Sequence, residues 1–561
     1  MRTDFRRRRQ IGALFFVTII FLFLILRLFN RQVINYEAFK KKADIQQKVN
    51  IKLPPPRGNI YDAAGNILAL DTSVDSVYAV PREIEDKQEV VSQLESALGM
   101  DRAFLKDRLS RDKSFVWIKR KIGADDVRRI EKADIEGVGM VKEPRRSYPV
   151  SNLLCHAVGF TDIDNNGLEG LELYYEPFLE GKTGFKSTFR DARQRIVSSY
   201  DDYLPPKEGC DLKLGMDEVI QHIIVSEINR VVEDYRPRSV MIVALDPKTG
   251  QVLGMANYPD FDPNRYWEAE QDDYRNRCIT DVFEPGSVFK IITASAVLEE
   301  DVVSPDDEFY CENGEYRVGS RVLHDYRPYG TLTFRQVIEK SSNIGTVKAA
   351  AKLGPDKLYE YILKFGFGAR SGIDLPSEEN GILRHKNGWT PSDMTTIPMG
   401  QGISCTALQL ACAVSVIANG GLLVRPYVVQ YITDSADNTI SESAPHIERR
   451  VVSENTARVM RDFLCGVVEE GTGRRAKPAG YRACGKTGTA QKVGEGGRYS
   501  PDKYVASFVG FAPYENPKVA LVVCVDEPKG NHFGGVVAAP VFKRIIEKIL
   551  KYMEISRHEK A

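Results

Sequence analysis

Along the chain the spacing of apolar positions changes character several times, and each change predicts a different element. Ile11 to Phe29 is a run of 19 positions broken by one charge, Arg27. A helix of that length crosses a bilayer core of about 30 Å, and Arg27 lies near its end, where a long side chain can snorkel. The run exceeds the apolar stretch of a cleaved leader, roughly 7 to 15 residues, and Asn30-Arg31-Gln32 follows it instead of a small-x-small site, so an uncleaved anchor is predicted. Gln32 to about Val49 is polar and reads as a stalk, stopped by Pro54-Pro55-Pro56. From Arg57 to Ala69 a strand, turn, strand pattern places Ile60, Tyr61, Ile67 and Leu68 in the flanks and Ala64-Gly65-Asn66 in the turn.

Between about Glu83 and Pro206, charged helical stretches alternate with short apolar pieces and assemble no nucleophile, metal or phosphate constellation, which reads as a non-catalytic platform. Pro205-Pro206-Lys207-Glu208-Gly209 marks the expected boundary. Beyond it Val219, Ile220, Ile223, Ile224, Ile228, Val231 and Val232 recur at helical spacing. Ser239 to Leu245 and Gln251 to Ala256 read as strands about Asp246-Pro247-Lys248-Thr249-Gly250, and Val505 to Ala512 with Lys518 to Val525 as a second pair. A last helix carries Val541, Ile545, Ile546, Ile549 and Leu550 on one face. The fold class expected is α+β: one membrane helix, an elongated α+β pedestal, and a domain whose antiparallel sheet is covered by helices. The boundaries expected are a tail 1–10, membrane helix 11–29, stalk 30–52, pedestal 53–206, catalytic domain 207–552 and a tail 553–561.

Lys plus Arg equals Asp plus Glu, 77 against 77, so no basic excess draws a nucleic-acid backbone. Arg2, Arg6, Arg7, Arg8 and Arg9 crowd the amino side of the apolar run, which holds that end in the cytoplasm and sends the rest outside. The nine cysteines form no C-x-x-C pair and no zinc spacing, so most read as buried small apolar residues. His324, His385 and His532 have no ligand partner at motif spacing and read as ordinary loop or surface residues; no metal and no cofactor is expected.

Candidate chemistry begins at Glu284-Pro285-Gly286-Ser287-Val288-Phe289-Lys290, which leads into Ile291 to Leu298. Pro-Gly before an apolar run places Ser287 at a helix N-terminus, and residues three apart share a face, so Lys290 can reach the Ser287 hydroxyl as its base. Alone, the motif is weak, and an N-cap with a solvated lysine explains it as well. Ser341-Ser342-Asn343 after the helical stretch Phe334 to Lys340 can present a hydroxyl and an amide, or simply stop a helix. Cys484-Gly485-Lys486-Thr487-Gly488-Thr489-Ala490 is a short strand whose glycines admit a substrate backbone and whose lysine attracts a carboxylate, or a tight turn beside a surface lysine. In the order Ser-x-x-Lys, Ser-x-Asn, Lys-Thr-Gly, the set is specific to β-lactamases and penicillin-binding proteins.

Those residues, with Tyr274-Arg275-Asn276-Arg277, Gly400-Gln401-Gly402-Ile403-Ser404 and Gly534 to Phe542, resemble the class B penicillin-binding proteins over nearly the whole chain. Arg57-Gly58 with Asp62, Gly65 and Leu68-Ala69, and Gly167-Leu168-Glu169-Gly170-Leu171-Glu172, are similar to the family's pedestal motifs. Ala63-Ala64 and Gln194 depart from the pattern, and the continuation through Val77 to Pro81 is similar to the septal FtsI type.

The resemblance implies a serine D,D-transpeptidase that cross-links peptidoglycan stem peptides ending in D-Ala-D-Ala and is acylated by β-lactams. It implies Ser287 as nucleophile, Lys290 as base, Ser341 as proton relay, Asn343 as a substrate contact, and Lys486 with Thr487 and Thr489 as a carboxylate-binding edge. Ser342 and Gly488 complete the expected substrate-binding set, and the Ser287 and Thr489 backbone N–H groups the oxyanion hole. A single-pass enzyme of the bacterial cytoplasmic membrane with its catalytic domain outside is implied, partnered by a SEDS-family glycan polymerase and other divisome proteins. An elongation-type transpeptidase, a D,D-carboxypeptidase or β-lactamase-like hydrolase, and a non-catalytic β-lactam receptor are the alternatives.

Overall fold

A computed structural model describes residues 2–113, 115–190, 196–197, 203–319, 321–494 and 498–554. Gln194 and most of the expected C-terminal tail lie outside them. The chain forms two compact units, Met1–Pro56 with Gly181–Glu208, and Arg57–Glu180 with Gly209–Ala561.

In the first unit the helix Arg2–Phe29 runs through a π-helical turn, Asn30–Ile34, into the helix Tyr36–Gln47. Phe5–Ile34 is long and apolar enough to cross a membrane, and large side chains such as Phe15, Phe16 and Leu22 stand exposed, as a lipid-facing surface requires. The stretch expected as a stalk carries regular structure, the helix Tyr36–Gln47 and then a strand. Val49, Ile51 and Leu53 alternate with polar residues, the period of a strand, and Lys48–Leu53 pairs antiparallel with Gly184–Arg190.

In the second unit the expected hairpin forms, with Ile60 opposite Ala69 and Tyr61 opposite Ile67. Its turn recurs. Asp62, Asp162 and Asp434 each accept from the backbone N–H groups two and four residues on, and from the side-chain amide of Asn66, Asn166 and Asn438 respectively. A short carboxylate thus does the work of a backbone turn at three places. The strand Ile67–Ala79 belongs to a seven-stranded sheet in the order Thr439–Glu442, Val429–Thr433, Asp211–Leu214, Ile60–Tyr61, Ile67–Ala79, Val116–Lys119, with Val138–Ser147 also on Ile67–Ala79.

The two pedestal motifs meet in a buried ion cluster. Glu172 accepts from Arg57 Nε and Arg146 Nε at 2.6 Å each, and Arg57 also donates to Glu176 at 2.6 Å. The Glu172 side chain is 0 % exposed and both guanidiniums 2 %. Burial opposes its charge, yet the two arginines hold its carboxyl below the usual range.

The central sheet has five antiparallel strands in the order Val252–Tyr258, Ser239–Leu245, Val519–Asp526, Tyr499–Ala512, Cys484–Val493. Both faces are covered, so its inner strands read as continuous apolar runs. Alternation survives as a choice between two cores. Met241, Val243 and Leu245 face one with the helices Lys290–Glu299 and Ala407–Ala418, whereas Val240, Ile242 and Ala244 face the other with Glu218–Tyr235 and Gly534–Tyr552. Ala407–Ala418 is buried at every position, which is why it is apolar all round.

Candidate active site

Ser287 lies in a 3-10 turn, Gly286–Phe289, that feeds the α-helix Lys290–Glu299. The turn, tighter than the helix start the sequence suggests, begins at Gly286 with φ +55°, a conformation glycine adopts without a Cβ penalty. Its N–H donates to the Gly400 carbonyl at 3.0 Å. A Cβ on Gly286 would stand 3.3 Å from the Thr489 carbonyl oxygen, and one on Gly488 would stand 2.9 Å from Val288 and 3.0 Å from the Pro285 carbonyl oxygen. The Ser287 turn and the Lys-Thr-Gly strand are therefore in close backbone contact, which a side chain at Gly488 would push apart.

The helix Phe334–Glu339 is started by a capping box between Thr333 and Gln336 and ends at the Ser341-Ser342-Asn343 turn. Ser341 has φ +61°, a strained position for a residue with a Cβ. Lys290 Nζ donates to the Ser341 carbonyl at 2.7 Å and to Asn343 Oδ1 at 2.8 Å, and lies 3.3 Å from Ser341 Oγ. Lys486 Nζ donates to the same hydroxyl at 2.9 Å. Lys290, Ser341, Asn343 and Lys486 therefore come from three segments whose side chains meet, and Ser287 lies on the first of them, three residues before Lys290.

Both lysines are wholly buried. Burial pushes Lys290 down to about 7, against the opposing pull of Asp325 and Cys311. Burial, and then the Lys290 charge, hold Lys486 well below the usual lysine range. A neutral Lys290 has two N–H bonds and one lone pair. The Ser341 carbonyl and Asn343 Oδ1 can only accept, so they take both N–H bonds, and the lone pair is left for a hydroxyl. Asn343 is kept in that orientation because its Nδ2 donates to the His324 carbonyl at 2.8 Å.

Ser342, expected among the substrate contacts, is 0 % exposed and its hydroxyl is engaged within the protein. It caps the helix Asn343–Leu353 by accepting from Gly345 N–H at 3.0 Å and donates to Asp325 at 2.6 Å. Asp325 also accepts from the Asn343 and Ile344 N–H groups, a carboxylate at a helix N-terminus. No sequence signal near Asp325 marks it. Thr487 shares a hydrogen bond with Thr472 at 2.9 Å, and Thr489 Oγ1 accepts from Gly534 N–H at 3.0 Å. Glu284 accepts from Gly402 N–H at 2.7 Å and from the Tyr499 hydroxyl, joining the Ser287 turn to a loop and a strand.

Of the histidines, His532 stacks on Tyr504 at 4.0 Å, His385 accepts from Asn387 N–H, and the His324 ring is exposed. Among the described residues no group of three His, Cys, Asp or Glu could hold a metal.

Residues 240–547 match the penicillin binding protein transpeptidase domain and residues 52–214 the penicillin-binding protein dimerisation domain. The chain is 38 % identical over 554 residues to stage V sporulation protein D of Bacillus subtilis, covering 97 % of this chain and 85 % of that one. It is 31 % identical over 542 residues to peptidoglycan D,D-transpeptidase FtsI of Escherichia coli, covering 95 % and 90 %. Penicillin binding protein 3 from Mycobacterium tuberculosis, solved in complex with aztreonam, is similar with TM-score 0.72 and 29 % identity, covering 91 % of this chain and 98 % of that one.

Proposed function

The chain belongs to the class B penicillin-binding proteins, and from that premise we propose that it is a peptidoglycan D,D-transpeptidase acting through an acyl-enzyme at Ser287. One observation carries the reading: a single hydroxyl, Ser341 Oγ, stands 3.3 Å from Lys290 Nζ and 2.9 Å from Lys486 Nζ. It links the base beside the nucleophile to the lysine of the carboxylate edge.

Neutral Lys290 takes the Ser287 proton as Oγ attacks the carbonyl of the penultimate D-alanine. The Ser287 and Thr489 backbone N–H groups hold the oxyanion, commonly the largest contribution in acyl transfer. The proton then passes from Lys290 through Ser341 to the leaving nitrogen, and D-alanine departs. An amine of a second stem peptide attacks the ester, its proton returns by the same route to Ser287 Oγ, and the cross-link leaves. Lys486, Thr487 and Thr489 bind the terminal carboxylate, Asn343 contacts the peptide, and Gly488 lets its backbone approach. β-Lactams acylate Ser287 by the same attack.

The arginine cluster before the membrane helix supports a cytoplasmic N-terminus and a catalytic domain outside the bacterial cytoplasmic membrane. Pedestal residues Val77 to Pro81 support the septal type, with a SEDS-family glycan polymerase and divisome proteins as partners. A relative named for stage V of sporulation supports a second reading, in which the cross-links are made during spore formation.

Acylation with fluorescent penicillin, digestion and mass analysis tests the chemistry. A lasting adduct on the Ser287 peptide, absent from Ser287→Ala, is expected. Rapid turnover to hydrolysed drug would make the protein a hydrolase.

A further inference from the structure

Two of the signature motifs, Gly167-Leu168-Glu169-Gly170-Leu171-Glu172 and Tyr274-Arg275-Asn276-Arg277, take no part in the proposed acyl transfer. Both contribute to the wall of one cavity of about 470 Å³ inside the second compact unit. That size falls in the range of roughly 300–1,000 Å³ that small ligands occupy. We propose that this cavity binds a primary ammonium on an apolar stem, as in the side chain of a diamino acid, with Glu169 as its counter-ion.

The two carboxylates of the first motif are used differently. Glu172 is taken by Arg57 and Arg146. Glu169, half-buried on the cavity wall, makes neither a side-chain hydrogen bond nor an ion pair among the described residues. It precedes the turn Gly170–Tyr174 without capping it. Burial acts on Glu169 alone and pushes its carboxyl up, with no cation opposing. A carboxylate drawn out of water without a partner costs free energy, and an ammonium brought in from outside recovers that cost.

The other lining groups do not supply the missing charge. The Arg275 guanidinium is committed to Asp272 at 3.1 Å and to Asp281 at 2.6 Å, and Asp272 takes a further bond from Arg277 at 2.5 Å. Burial pushes His156 down to about 4 and so keeps its ring neutral near pH 7, with Nε2 beside the Asp273 carbonyl and Asn257 Nδ2. The Tyr274 hydroxyl donates to the Tyr266 carbonyl at 2.7 Å. With Asp272 and Arg275 of opposite sign, the lining keeps the single negative charge of Glu169.

Asn276 adds a second acceptor short of a donor. It is 8 % exposed, its Nδ2 donates to Met255 Sδ at 3.4 Å, and its Oδ1 is buried without a hydrogen-bond partner. An ammonium carries three N–H bonds and no acceptor, which is the chemistry both groups lack. The buried side chains of Ile279 and Leu375 give the same wall an apolar stretch, against which an alkyl stem packs as lysine stems do on protein surfaces. An anionic ligand would meet a wall of its own sign.

Such an ammonium can belong to a peptide or to a free diamine, and isothermal titration of the full chain in detergent, in an amine-free buffer, separates the two. The probes are Nα-acetyl-lysine methylamide, the neutral Nα-acetyl-norleucine methylamide, and cadaverine. The lysine probe should bind, lose about tenfold in affinity in Glu169→Gln and weaken as salt is added, whereas the norleucine probe should give no heat. Cadaverine binding as tightly as the lysine probe assigns the site to free amines, and weaker binding assigns it to a peptide side chain. Because the Glu169 carboxylate makes no contact that the fold needs, Glu169→Gln without probe should melt like wild type. Ser287→Ala should bind the lysine probe like wild type, so the site is tested apart from the proposed acylation. Absence of heat from both amines at about 10 mM, equal affinity in wild type and Glu169→Gln, or a norleucine probe that binds as well as the lysine probe overturns the proposal.

Discussion

The acylation rate should climb with pH through the neutral range, because the base proposed for Ser287 is a lysine with an ammonium that burial pushes down to about 7. The lone pair, not the charge, does the work, so the rate follows the neutral fraction. At a pKa of about 7 that fraction is roughly one half at pH 7 and about one tenth at pH 6. The second-order rate of penicillin acylation should therefore fall about fivefold between those values, and about tenfold for each further unit of acid. Stopped-flow or quenched labelling from pH 5 to 8.5, with enzyme in excess of its inactivation time, gives the profile directly. Lys290→Arg, whose guanidinium keeps its proton throughout, should abolish the reaction at every pH. A profile flat from pH 5 to 8, or a Lys290→Arg chain that acylates with wild-type slope, would refute the assignment.

Three further outcomes follow from the packing. Glu172→Gln removes a carboxylate that touches both buried guanidiniums and should cost about 3–5 kcal/mol in chemical denaturation; less than about 1 kcal/mol would mean that Glu176 and Asp71 suffice. Gly400→Ala puts a Cβ 2.1 Å from the Gly286 carbonyl oxygen at φ +83°, so penicillin labelling should drop at least tenfold while the far-ultraviolet circular dichroism is kept. Ser341→Ala should lower acylation by about a hundredfold with little change in melting, whereas Ser342→Ala should cost about 1 kcal/mol of stability as a lost helix cap, with a smaller loss of rate; the reverse ranking would return Ser342 to the substrate-binding set.

What could be foreseen from the residues follows from how far each argument had to reach. The hairpin at Ile60, the paired strands read over 239–256 and 505–525 and the last helix are set by local periodicity and form, with one strand starting earlier, at Tyr499, than the pattern indicates. That Lys290, Ser341, Asn343 and Lys486 would be brought together was legible because the order of their motifs along the chain is itself the signal. Ser342 was not, since its neighbours Ser341 and Asn343 both face Lys290 and only the reversed side-chain direction of a turn at φ +61° sends the middle residue inward. Asp325 and Thr472 escaped notice because each acts across the fold on a motif 15 or more residues away. The strand at the end of the expected stalk was hidden for a different reason: it is completed by Gly184–Arg190, more than a hundred residues on, and no local pattern announces that partner.

The strand Asp211–Leu214 lies between Ile60–Tyr61, to which it runs parallel with Ile60 opposite Leu212, and Val429–Thr433 on its other side. A polypeptide severed ahead of it would keep every group of the acylation centre yet bare a row of amide donors and acceptors that residues from the amino-terminal third normally satisfy. Such an excised half is expected to seek another chain's edge to mend itself, so that self-association, and not loss of chemistry, becomes the first symptom of truncation.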